Sequence, residues 1–121
     1  MKRILVVDDE PNVRNLVVET LNYIGNYEIM EASTGKEALD IVKNEKPDLI
    51  ILDIMLPDID GYTICEQIKE NPSLDTLILI LSARNSDIDK KVGYGMGADD
   101  YLTKPFTLKE LIEKVQNLLG E

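Results

Sequence analysis

The sequence predicts an α/β fold: a single doubly wound (βα)5 domain, with a five-stranded parallel sheet covered by helices on both faces. Three observations predict it. Short apolar runs recur along the chain, among them ILVV (4–7), LIIL (49–52) and LILIL (77–81), each apolar at consecutive positions as a strand buried on both faces requires. Between them lie segments carrying an apolar stripe at helical spacing, bounded by caps, glycine and proline. The 121 residues contain no linker, repeat or low-complexity stretch and suffice for one core, so residues 1–121 read as one domain.

The first strand covers about residues 3–7. Pro11 sits in the first turn of the helix that follows, whose stripe is Val13, Leu16, Val17, Leu21 and Ile24, and Gly25 with Asn26 ends it. A strand around 27–32 leads to Thr34-Gly35-Lys36-Glu37, a capping-box pattern opening a helix that stops before Pro47. DLIILD (48–53) is the third strand, followed by a helix from about Gly61 to Asn71 that Pro72 closes. TLILIL (76–81) is the fourth, and Ser86 with Asp89 caps a helix running towards Gly95 and Gly97. A short strand near 99–103 precedes a second capping box, Thr107-Leu108-Lys109-Glu110, and a last helix carrying Leu108, Leu111, Ile112, Val115, Leu118 and Leu119.

Composition narrows the function. With 23 acidic and 13 basic residues the net charge is -10, a surface that repels phosphate backbones, so no direct nucleic-acid binding is expected. The chain has no histidine, which removes the usual general base and the commonest zinc ligand. Cys65, the one cysteine, excludes an intrachain disulfide and a thiolate metal cluster, and beside Ile64 and Ile68 it reads as core filler. No apolar run is long enough to span a bilayer and no signal-peptide pattern opens the chain, so the expectation is a cytoplasmic protein without a membrane partner.

The chemistry gathers at the strand ends. ILVVDDEP (4–11) runs from a buried strand directly into Asp8, Asp9 and Glu10. Two such charges about 4 Å apart repel by roughly 1 kcal/mol in water and about 4 at an effective dielectric near 20, so a compensating cation is expected. The third strand ends in Asp53, the fourth in Ser82 and the fifth in Lys104-Pro105. In open parallel sheets ligands bind outside these carboxyl ends, where the strand order reverses. Taken singly, each residue has a plainer reading. The acids and Ser82 suit helix caps, Lys104 a solvated surface, Tyr101 core packing, and Pro57 and Gly61 the geometry of a turn. Asp58-Ile59-Asp60 lacks the other ligands of a calcium loop.

Four segments, VVDDE (6–10), DLIILDIMLPDIDG (48–61), LILSA (79–83) and GADDYLTKPF (97–106), resemble in order and spacing the receiver domains of two-component response regulators. The resemblance covers essentially the whole chain and implies a sheet of order 2-1-3-4-5. It implies that Asp53 is the phosphoacceptor, that Asp9 binds Mg2+ directly and Asp8 through water, and that Met55 contributes its backbone carbonyl, with Mn2+ able to substitute. Lys104 would meet the phosphoryl group, Ser82 would detect it, Tyr101 would be the aromatic switch, and Pro105 would follow a cis bond from Lys104. The implied donor is the phosphohistidine of a sensor histidine kinase or phosphotransfer protein. The implied output surface is the fourth helix, fifth strand and fifth helix, acting on a downstream target protein or an effector domain, as a monomer or a phosphorylation-dependent dimer. Such a domain is a phosphoacceptor rather than an enzyme, though it assists its own phosphorylation and dephosphorylation.

Three other readings have checkable signatures. A flavin or nucleotide binder of this architecture wants a small-residue phosphate loop after the first strand, where this chain offers DDEP. An aspartate-based phosphatase needs a second acid two residues after its nucleophile, where this chain has Met55. An interaction module that is never phosphorylated would, by resemblance, lack one of the acids or the lysine, and all are present.

Overall fold

The structure, a computed structural model, describes residues 1–84 and 86–121. Strand and helix alternate throughout: β1 (Arg3–Val7), α1 (Pro11–Ile24), β2 (Glu28–Ala32), α2 (Gly35–Glu45), β3 (Leu49–Leu52), α3 (Gly61–Glu70), β4 (Leu77–Ser82), α4 (Asp87–Gly95), β5 (Asp100–Thr103) and α5 (Leu108–Leu119). The strands form one parallel sheet, as the sequence predicts, in the order β2-β1-β3-β4-β5 that the family resemblance implies. The order reverses between β1 and β3.

Strand alternation sorts the core into two layers. Ile4, Val6, Leu49, Ile51, Leu79, Leu81 and Leu102 face one side and pack with Val17, Leu21, Leu111 and Val115 of α1 and α5. Leu5, Val7, Ile50, Leu52, Ile78, Ile80 and Tyr101 face the other and pack with α2 and α3 through Ala38, Val42, Ile64, Cys65 and Ile68. Each fully buried Ile or Leu contributes about 1.5–3 kcal/mol, so the sheet is the rigid body on which the loops are hung. Cys65 is part of this core.

The helix ends obey local chemistry, with two departures from expectation. Ser86 with Asp89 and Thr107 with Glu110 close complete reciprocal boxes at α4 and α5. At α2, Thr34 accepts from the Glu37 N–H at 3.2 Å, but the Glu37 carboxylate takes the N–H and hydroxyl of Ser33 instead of the N–H of Thr34. The N–H groups of Gly35 and Lys36 bond across to Asp58, at 2.7 and 3.0 Å. Gly25 ends α1 in an extended conformation rather than a left-handed cap, and the Tyr27 ring fills the space a side chain there would need.

α4 is the lightly docked helix. Of its nine residues only Gly93 is buried, while Ile88, Val92 and Tyr94 are exposed. At the opposite rim of the sheet, the Lys2 carbonyl accepts from the Glu28 N–H at 2.9 Å and the Tyr27 hydroxyl donates to the Glu121 carboxylate, so neighbouring residues hold Lys2 and Glu121. Among the described residues no helix is long and apolar enough to cross a membrane.

Candidate functional site

Register levels the strand ends. Val7 pairs with Leu52, which puts Asp8 and Asp53 one step further on at the same height, and the Asp53 N–H still donates to the Val7 carbonyl at 3.0 Å. Ser82 pairs with Thr103, and the next residue, Lys104, donates its N–H to the Ser82 carbonyl at 2.8 Å. Four side chains from four strands therefore share one rim.

Three of them are held by the same local device. Asp8 Oδ1 accepts from the Glu10 N–H (2.9 Å), Asp53 Oδ1 from the Met55 N–H (3.0 Å), and Ser82 Oγ from the Arg84 N–H (3.3 Å). Each side chain folds back on the backbone two residues ahead, which fixes its rotamer and turns the chain out of the sheet. The second oxygens of the two aspartates meet on one cation: Lys104 Nζ lies 2.9 Å from Asp8 Oδ2 and 3.0 Å from Asp53 Oδ2, with Glu10 Oε1 at 3.7 Å. This is the compensating charge expected from the acid run. Both aspartates are buried and the Lys104 side chain is 13% exposed.

The charges do not balance. Burial pushes the Asp8 carboxyl above its ordinary range, and the hydrogen bonds from Glu10 and Lys104 offset this only in part. Burial would also lower the Lys104 ammonium, yet its hydrogen bonds to Asp8 and Asp53 carry it above the usual lysine value. The two directions agree once the cation is seen to be shared: Lys104 gains two anions, whereas each anion gains part of one cation.

The remaining predicted residues fall into two groups. Tyr101 is buried, and its hydroxyl donates to the Arg84 carbonyl at 2.7 Å, so Ser82 and Tyr101 grip the two sides of one residue's backbone. The Lys104–Pro105 bond is cis. Met55 has an exposed side chain and lines a cleft of about 370 Å³ with Pro57, Asp58, Asp60 and Arg84. Asp9 stands apart. It is exposed, and the carboxylates that come within 4.8 Å of one another are Asp8, Glu10 and Asp53. Glu10 occupies the N-cap position of α1 ahead of Pro11 without a side-chain cap bond, and its carboxylate lies at the rim, 3.7 Å from Lys104 Nζ.

Sequence reasoning missed Glu10, Arg14, Asp58 and Tyr62. Arg14, the one cation of α1, donates to the Asp8 carbonyl at 2.7 Å and pairs with Glu31. Its signal was that isolation on an otherwise uncharged or acidic helix. Asp58 binds the start of α2 and Asp60 caps α3 at 2.8 Å, so the two acids that suggested a calcium loop are helix caps.

The family of response regulator receiver domains matches residues 4–116. Among curated relatives, the chain is 45% identical over 118 residues to the alkaline phosphatase synthesis transcriptional regulatory protein PhoP of Bacillus subtilis, covering 98% of this chain and 48% of that protein. It is 43% identical to the response regulator MprA of Mycolicibacterium vanbaalenii, covering 97% of this chain and 50% of MprA. The chain thus spans about half the length of these relatives. Among solved structures, the BeF3-activated receiver domain of DrrB from Thermotoga maritima superposes with a TM-score of 0.86 at 36% identity, covering 100% of this chain and 99% of that one. With its parallel sheet, its acids and lysine on one rim, and a family match over nearly its whole length, the chain belongs to the response regulator receiver domains of two-component systems.

Proposed function

We propose that this domain is a phosphorylation-dependent switch that accepts a phosphoryl group on Asp53 from the phosphohistidine of a sensor histidine kinase or phosphotransfer protein. One observation carries the reading: Lys104 bridges two buried carboxylates at the rim where the strand order reverses. An Asp53 oxygen attacks phosphorus, the P–N bond of the donor breaks, and the imidazole leaves with the electron pair and takes up a proton. Lys104 stays beside Asp53 as a mobile point charge for the phosphoryl oxygens. The carboxylates of Asp8, Glu10 and Asp53 suit a hard divalent cation, Mg2+ or Mn2+, with Asp9 and the Met55 carbonyl as further ligands, and a cation bound there neutralises charge on the group in transfer. Ser82 and Tyr101 report the new group through the backbone of Arg84 to the surface of α4, β5 and α5, where a target protein or an effector domain reads it. Met55 supplies no acid for hydrolysis of small phosphoesters, which favours a phosphoacceptor over a phosphatase.

The test is acetyl phosphate with magnesium, read by intact-mass spectrometry. One phosphoryl group, about 80 Da, is expected on the wild type and none on Asp53→Ala. Labelling of Asp53→Ala at the wild-type rate overturns the assignment. Asp9→Asn is expected to raise the magnesium requirement, and an unchanged requirement transfers that ligand role to Glu10.

A further inference from the structure

Tyr62, the second residue of α3, is 8% exposed, yet its hydroxyl finds a partner outside its own helix. It donates to the Asp89 carbonyl in the first turn of α4, at 3.1 Å. Its ring shares an apolar cluster with Tyr101. Burial lifts the Tyr101 phenol above its ordinary range, and the neighbouring Tyr62 hydroxyl adds to this. α4 also lies directly on Tyr101: a Cβ at Gly93 would sit 3.3 Å from Cδ2 of that ring and 3.0 Å from Ile80 Cδ1.

These contacts matter because α4 has little else. A helix that buries one glycine is a low-stability unit, and a single hydrogen bond to its first turn is a large share of its attachment. Phenylalanine would fill the apolar site equally well, so the hydroxyl is the informative atom. We propose that Tyr62 is a positioning residue of the switch, a strut that ties α3 to the first turn of α4 and holds Tyr101 against the Arg84 carbonyl. The proposal rests on the reading of Ser82 and Tyr101 as the relay. It adds a third member on a helix that follows the Asp53 loop directly, so movement of that loop reaches α4 by a route that bypasses β4.

The experiment uses the whole chain and Tyr62→Phe, with Tyr94→Phe as control, since the Tyr94 hydroxyl belongs to α4 itself and bonds Asp100 at an exposed site. Native-state hydrogen exchange of the α4 amides is expected to be about fivefold faster in Tyr62→Phe, the net worth of one neutral hydrogen bond, with β1 and β3 amides unchanged. Beryllofluoride, a phosphoryl mimic, is expected to shift the NMR signals of residues 53–55 and Ser82 as in wild type, but to shift Tyr101 and residues 87–95 less. Tyr94→Phe, which loses only an exposed bond to Asp100, is expected to accelerate α4 exchange less than Tyr62→Phe and to leave the Tyr101 shift at its wild-type size. Wild-type exchange in α4 of Tyr62→Phe, equal acceleration of every core amide, or undiminished shifts at Tyr101 each overturn the proposal. The exchange measurement involves no phosphoryl chemistry, so it decides the strut even if Asp53 accepts no phosphoryl group, which acetyl phosphate labelling reports separately.

Discussion

One ammonium group, Lys104 Nζ, faces two buried carboxylates and a third at the margin. Replacing it leaves Asp8 and Asp53 buried and unpaired, so Lys104→Met is expected to lose about 3 kcal/mol in EDTA at pH 7, the cost of breaking a buried pair from one side. Asp8 already binds its proton more readily than an ordinary aspartate because it is buried. Protonation therefore relieves the mutant as pH falls, and the gap between Lys104→Met and wild type should narrow between pH 7 and pH 4. Urea denaturation of both proteins across that range checks it, and a constant gap would show that the lysine is not compensating those acids. Asp8, Asp53, Ser82 and Lys104 were legible in the sequence because each ends an apolar run, and parallel register brings run ends to one rim. The choice between Asp9 and Glu10 was not, because there the chain leaves the sheet and strand alternation no longer fixes where a side chain points.

Helices and strands were legible wherever their signals were local. Caps such as Ser86–Asp89 and Thr107–Glu110 lie within one turn, and the glycines and prolines that stop the helices are adjacent to them. Asp58's part in capping α2 was hidden because it arrives from a loop more than twenty residues away. Gly61 is another long-range constraint that appears in sequence as a mere turn residue. A Cβ there would lie 2.3 Å from the Ile54 Cα, so the start of α3 is pressed against the backbone that carries Asp53. Gly61→Ala is expected to destabilise by about 2 kcal/mol or more, because backbone on both sides must move. Gly95, at the end of α4, has nothing within 4 Å of its would-be Cβ, and Gly95→Ala is expected to gain roughly 0.5 kcal/mol through the unfolded chain. Equilibrium urea curves rank the two, and a neutral Gly61→Ala would mean that the close approach is not obligatory.

At the scale of the molecule, several groups titrate higher in the fold than in a free chain. Burial pushes the Cys65 thiol up to about 12, and Lys104 is raised by its two anions. A raised native pKa contributes stability that is complete below the unfolded value and drains away as pH climbs towards the native one. For Cys65 that window runs from about 9 to about 12, with a slope of about 1.4 kcal/mol per pH unit. Stability measured from pH 8 to pH 11 should decline accordingly, and Cys65→Ala should flatten part of the decline. Iodoacetamide should label the thiol only as fast as the domain unfolds, and labelling at the rate of a free cysteine would show that the core opens locally. A different consequence attaches to Tyr27 and Glu28, the neighbours that hold Glu121 and Lys2 at the rim remote from the acids. In the isolated domain a short peptide joining residues 1 and 121 closes a ring there, and reopening it in the exposed turn at 72–73 moves no strand end on the acidic rim. The site depends on which strands lie side by side, and the order in which the ribosome makes them is open to rearrangement.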